Sequence, residues 1–82
     1  MKGKLTSKEY SYTVVYEPVG KGGYQVTVPL LPGLVTYGRS FEEAKEMALD
    51  AIRCYLEALR KNKEEIPTEI SFVQERVTVF LV

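Results

Sequence analysis

Hydrophobic and polar positions alternate from Tyr10 to Glu17. Tyr10, Tyr12, Val14 and Tyr16 fall on one face and Ser11, Thr13, Val15 and Glu17 on the other. Aromatic and β-branched residues at a period of two predict a strand. Pro18 is expected to end it, and Gly20-Lys21-Gly22-Gly23 to turn the chain. The alternation resumes from Tyr24 to Pro29, with Tyr24, Val26 and Val28 on one face, which predicts a second strand. So short a connection makes the two an antiparallel hairpin. Pro29 and Pro32 carry no backbone donor, so this strand should stop near Leu30. Gly33 permits a sharp turn after Pro32, and Leu34 to Tyr37 reads as a short third strand closed by Gly38.

After Ser40 the period changes to that of a helix. Ser40-Phe41-Glu42-Glu43 has the form of a capping box, in which the serine hydroxyl accepts from the Glu43 amide and the Glu43 side chain reaches back to Ser40. The helix is predicted to run to about Lys61. Phe41, Ala44, Ala48, Ala51, Ile52, Tyr55 and Leu59 form one stripe, with Glu42, Glu46, Asp50, Arg53, Glu57 and Lys61 opposite. Met47, Leu49, Cys54, Leu56 and Ala58 widen the apolar arc beyond what one sheet face needs. A polar connector with Pro67 follows, then Ile70 to Phe72, whose pattern is ambiguous. Gln74 to Val82 reads as a strand that is apolar on both faces. The order is therefore β-β-β-α-β. A right-handed crossover returns the last strand beside and parallel to the first. The expected fold is α+β: a four-stranded mixed sheet in the order 3-2-1-4, with one helix on one face.

Length and composition narrow the rest. An 82-residue chain is expected to form one domain, residues 1–82, and buries only about 60–65% of its unfolded surface. Association into a homo-oligomer is an expected further source of stability, with Phe80 and Val82 of the last strand as candidate contacts. Formal net charge is zero, which argues against tight nucleic-acid binding through a basic surface. The chain has a single cysteine, Cys54, and no histidine. No internal disulfide can form, and neither a zinc site nor any cofactor is expected. Met1 to Lys8 lacks the apolar core of a signal peptide, and no apolar run approaches the ~20 residues of a membrane span. The expected location is the cytoplasm.

Several motifs together resemble one family. Gly23-Tyr24 is followed by Val28-Pro29-x-Leu31-Pro32-Gly33, then Gly38-x-Ser40-x-Glu42-Glu43-Ala44, then Ala51-Ile52 and Tyr55-Leu56. In this combination they resemble the HicB antitoxins of prokaryotes over nearly the whole chain. Leu30 stands where that family often has an acidic residue, and Leu34 where it often has cysteine; both departures are local. The resemblance implies a partial ribonuclease-H-like fold. It also implies a function: binding a HicA-like toxin, a small messenger-RNA-cleaving ribonuclease, and occluding its active surface. Many members append a DNA-binding domain. None is recognisable after the last predicted strand, so tight operator binding is not expected. A stand-alone homo-oligomer with another partner or ligand is the alternative, and a degenerate nuclease a third.

The chemistry-bearing residues separate these readings. Two-metal phosphodiester hydrolysis needs carboxylates converging on ions about 4 Å apart. The centres of the first and last strands are Thr13-Val14-Val15 and Val77-Thr78-Val79, with only Glu17 and Glu75 toward their ends. Cys54 has no histidine to activate it. The chain therefore reads as a non-enzyme. Gly20-Lys21-Gly22-Gly23 joins two strands and lacks the spacing and helix of a phosphate loop. The candidate partner contacts are Leu30 and Leu31 in the proline corner, and Glu42, Glu46, Asp50 and Glu57 on the helix. Each has a plainer reading: the leucines tucked under the helix, and the acids as a solvated helix face interrupted by Lys45, Arg53 and Arg60.

Overall fold

The computed structural model describes residues 8–69, 73 and 75–82. Four elements follow in chain order: β1 (Val15–Val19), β2 (Gly23–Thr27), β3 (Val35–Gly38) and α1 (Phe41–Lys61). The strands form an antiparallel sheet in the order β1-β2-β3. Tyr16 lies opposite Val26 and Glu17 opposite Gln25; on the other side of β2, Val26 lies opposite Thr36 and Gln25 opposite Tyr37. Residues directly opposite share a face, so Tyr16, Val26 and Thr36 look toward the helix. Glu17, Gln25 and Tyr37 look away from it, as do Val15, Thr27 and Val35.

The first strand starts and ends later than the alternation predicts. Pro18 lies within it, opposite Tyr24. β1 is an edge strand, where a missing donor is tolerated. Residues 10–14 are not strand, because β2 ends at Thr27 and offers them no partner. They are held elsewhere. The Tyr12 hydroxyl donates to the Pro67 carbonyl, and the Thr13 amide donates to Glu69 Oε2 at 3.0 Å. Burial, then the Tyr10 and Glu69 charges, push the Tyr12 hydroxyl above its ordinary pKa and keep it a donor.

The proline corner is two successive turns. The Leu31 amide donates to Val28 O at 2.9 Å and the Leu34 amide to Leu31 O at 3.2 Å. In the second, Pro32 leads and Gly33 follows at φ 86°, the residue order of a type II turn. Together they bring Val28, Leu31 and Leu34 into one buried cluster, against which Tyr12, Val14, Ala51, Ile52, Tyr55 and Leu56 pack. A second cluster joins Val26 to Ala44 and Ala48, flanked by Val14, Tyr16 and Tyr24. Small residues at the helix contact let α1 lie close on the sheet. Phe41 closes that end, with its ring edge-on to Tyr16 and Tyr24 at 4.9 and 5.5 Å between centroids.

The helix starts where its cap predicts. Ser40 is extended, and its hydroxyl accepts from the Glu43 amide at 3.1 Å. Glu43 does not reach back to Ser40. Its Oε1 accepts from the Arg39 amide at 2.6 Å, and the carboxylate also meets the Arg39 guanidinium at 3.3 Å. These bonds to Arg39 lower the Glu43 carboxyl below its ordinary pKa. At the other end, Lys63 takes φ 60° while its amide donates to Arg60 O and that of Glu64 to Leu59 O. That pair is a Schellman cap with lysine where glycine is usual. Ser40→Ala is expected to cost about 1 kcal/mol, read as a lower urea midpoint with an unchanged slope.

The predicted fourth strand is not formed. Residues 75–82 are in no strand and are exposed throughout, so the four-stranded order 3-2-1-4 is replaced by a three-stranded meander. The reason is physical: a segment apolar on both faces needs cover on both, and one helix covers only one face of this sheet. Ile70 to Phe72 and Gln74 lie outside the described residues.

Candidate functional site

The helix presents its acidic stripe on the side turned from the sheet. Glu42, Glu46, Asp50 and Glu57 are all exposed. At 100° per residue they lie within one narrow sector, which also holds Arg53. Asp50 meets Arg53 at 3.5 Å in an exposed pair, which neutralises part of the stripe and contributes little to stability. Arg60 falls in the same sector, and the 64%-exposed Leu49 flanks it. The surface is thus a carboxylate ridge with an apolar side chain beside it. Such a ridge suits diffusional attraction of a basic partner more than tight anchoring.

The proline corner sits under the opposite side of the same helix. The Tyr55 hydroxyl donates to the Pro32 carbonyl at 2.8 Å and ties the corner to the second half of α1. Leu31 is fully buried, which removes it from the candidate contact surface: it is core. Leu30, the third residue of the first turn, is half-buried and is the member of the pair that reaches the surface. The corner and the acidic ridge therefore occupy different sides of α1, and the two sets of candidate residues do not converge on one point. Phe80 and Val82 are fully exposed on the C-terminal segment.

Two further surfaces remain, of which only the second was not legible in the sequence. The sheet face turned from the helix carries exposed Val15, Val35 and Tyr37, aligned across the strands by register. Secondly, a shallow groove of about 240 Å³ lies between α1 and the segments before β1 and after α1. It is lined by Lys8, Tyr10, Arg53, Leu56, Glu57, Arg60 and Ile66. These come from three distant stretches, so no local motif announces the groove. Among the described residues no group of three His, Cys, Asp or Glu side chains could hold a metal ion. Glu17 lies on the uncovered sheet face and Glu75 on the exposed C-terminal segment. Cys54 is free and exposed. Among the described residues no helix is long and apolar enough to cross a membrane.

Comparison with known proteins places this scaffold. Residues 12–78 match the family described as HicB-like antitoxin of bacterial toxin-antitoxin system. That span takes in the whole sheet, the proline corner and α1. A UPF0150 protein of Thermoplasma acidophilum is 41% identical over 68 residues, covering 83% of this chain and 94% of that protein. Antitoxin HicB 1 of Photorhabdus laumondii is 42% identical over 72 residues, 88% of this chain but 46% of its own length. A UPF0150 protein of Synechocystis is 38% identical over 66 residues, covering 79% of this chain and 84% of that protein. This chain thus corresponds to slightly less than half of the longer antitoxin and to most of the shorter relatives. No solved structure matches it. With the match running from Tyr12 through the entire sheet and helix, the chain belongs to the HicB-like antitoxin family of bacterial toxin–antitoxin systems.

Proposed function

We propose that this chain is a non-enzymatic antitoxin that binds a HicA-like messenger-RNA-cleaving toxin and neutralises it by covering the toxin's active surface. The observation that carries the reading is the extent of the family match, residues 12–78, together with 42% identity to Antitoxin HicB 1 across 88% of this chain. The mechanism is occupancy without turnover. A toxin that grips RNA needs a basic surface, and the ridge of Glu42, Glu46, Asp50 and Glu57 offers it the opposite charge. Leu30 and the outer side of the corner supply apolar contact from a rigid double turn. The protein acts in the reducing cytoplasm, consistent with the free thiol of Cys54. It does so as a single domain of partial ribonuclease-H-like layout and without tight DNA binding of its own.

A second reading, a stand-alone homo-oligomer with another partner or ligand, draws support from the exposed apolar side chains of residues 77–82 and from the two UPF0150 relatives of similar length. Self-association and toxin binding are compatible. Co-expression tests the contact surface. A HicA-like toxin that arrests growth is paired with the wild-type chain or with a chain carrying Glu42→Lys, Glu46→Lys, Asp50→Lys and Glu57→Lys. The wild type is expected to restore growth, and the charge-reversed chain to bind the toxin at least tenfold more weakly. Equal protection by both would remove the ridge from the interface.

A further inference from the structure

Opposite charges gather in the two hollows that share Tyr10. One is the groove of about 240 Å³ beside the second half of α1. Its floor is apolar and half-buried: Tyr10, Leu56 and Ile66. Its rim is exposed and carries three cations, Lys8, Arg53 and Arg60, against one carboxylate, Glu57. The groove thus holds an excess of two positive charges in a chain whose net charge is zero. The other hollow, of about 230 Å³, has Tyr10 and Tyr12 in its wall together with the carboxylates of Glu9 and Glu69.

We propose that these hollows form a nucleotide site. The phosphate lies among Lys8, Arg53 and Arg60, the base lies against Tyr10, and Glu9 and Glu69 accept from the base's N–H groups. Guanine suits them best, because it offers adjacent ring and exocyclic N–H donors to a carboxylate.

Three observations lead to this ligand class. First, the cations have little else to hold. Among the described residues neither Lys8 nor Arg60 is in an ion pair, and Arg53 has only its exposed 3.5 Å contact with Asp50. Arg53 and Arg60 are seven residues apart on one face of α1, about 10 Å along its axis. Their long side chains can converge on an anion between them. A phosphate monoester carries about −1.5 to −2 charges at pH 7, which matches the excess, and arginine's planar fork suits phosphate oxygens. Second, the groove is shallow and lies below the roughly 300–1,000 Å³ of sites for drug-sized ligands. It accepts one flat ring and one charged group, and is too small for an acyl chain or a folded peptide. Aromatic side chains are a common platform for bases. Third, the walls are fixed in advance. The Tyr12 hydroxyl donates to the Pro67 carbonyl, and the Thr13 amide to Glu69 Oε2 at 3.0 Å. These bonds clamp the segment before β1 to the segment after α1, and they leave Glu69 Oε1 for a ligand.

The test needs no toxin, so its failure is distinct from failure of the antitoxin reading. Isothermal titration calorimetry is run on the full chain with guanosine monophosphate, uridine monophosphate, guanosine and inorganic phosphate. Circular dichroism confirms that each variant keeps its helix. Guanosine monophosphate is expected to bind at least tenfold more tightly than guanosine or inorganic phosphate, and more tightly than uridine monophosphate. Lys8→Ala with Arg60→Ala should weaken it at least tenfold, and Tyr10→Ala at least fivefold. Glu9→Gln with Glu69→Gln should erase the preference for guanine over uracil while phosphate-dependent binding persists. A trinucleotide with a 5′-phosphorylated guanosine separates the two sources of the ligand: binding equal to the mononucleotide assigns an RNA end, and exclusion assigns the free nucleotide. Either result supports the site. No saturable binding at millimolar concentration would overturn the proposal. So would inorganic phosphate binding as tightly as the nucleotide, or binding unchanged in the folded Lys8→Ala, Arg60→Ala chain.

Discussion

Gly38→Ala is expected to destabilise the protein by about 3 kcal/mol, at the upper end of what overpacking costs. Gly38 ends β3 two residues before the helix cap, at the point where the sheet and α1 come closest. A Cβ built there would lie 2.5 Å from Ala44 Cα and 2.9 Å from Ala44 Cβ, and closer still to the Ala44 amide nitrogen. The obstacle is helix backbone at the centre of the core cluster, where Ala44 is fully buried, and backbone cannot swing aside as a flexible side chain does. To make room, α1 must lift from β2 and β3, which opens the packing of Val26 and Ala48. For a chain of this size about 3 kcal/mol lowers the melting temperature by about 12–24 °C. Thermal and urea unfolding check it, and a variant within about 0.5 kcal/mol of wild type would contradict the packing described.

Leu31→Ala is expected to cost about 3 kcal/mol, within the range of buried leucine truncations. Among the described residues Leu31 is the largest fully buried side chain, with no exposed surface, and it joins Val28 and Leu34 beneath Ala51, Ile52, Tyr55 and Leu56. Two rigid turns fix its backbone, so the cavity has little freedom to collapse. The neighbouring Leu30 is only half-buried, and Leu30→Ala should stay within about 1 kcal/mol of wild type. The pair separates two roles that look identical in the sequence. Leu31→Ala should lower stability and affect partner binding only through unfolding, whereas Leu30→Ala should weaken binding of a folded protein. Equal stability of the two variants would mean that the corner does not anchor the core.

Which parts of this architecture can be read in the sequence follows from how local their causes are. The helix is legible from Ser40 to Lys61 because its cap, its acidic first turn and its apolar stripe are all encoded within a few residues of where they act. The hairpin and the proline corner are legible for the same reason, since Pro and Gly impose backbone conformations by themselves. The start of β1 is not. Whether Tyr10 to Val14 pairs depends on where β2 ends, and whether Pro18 stops a strand depends on whether that strand is an edge. Leu30 and Leu31 differ in burial because two turns rotate them differently, a difference no composition argument reveals. The Glu43 side chain chooses Arg39 over Ser40 because the guanidinium adds charge to the hydrogen bond. The segment from Val77 to Val82 announces its need for a neighbour but not which surface supplies one.

Inhibition of RNA cleavage in a purified system measures most directly whether the chain acts as an antitoxin by direct occlusion. A HicA-like toxin is incubated with messenger RNA while this protein is titrated in, and cleavage is followed alongside complex formation. The account predicts that cleavage falls to background at about one antitoxin chain per toxin, with a stable complex at the same ratio and no RNA cleavage by this protein alone. Undiminished cleavage at a large molar excess of the folded protein, with no complex formed, would contradict it.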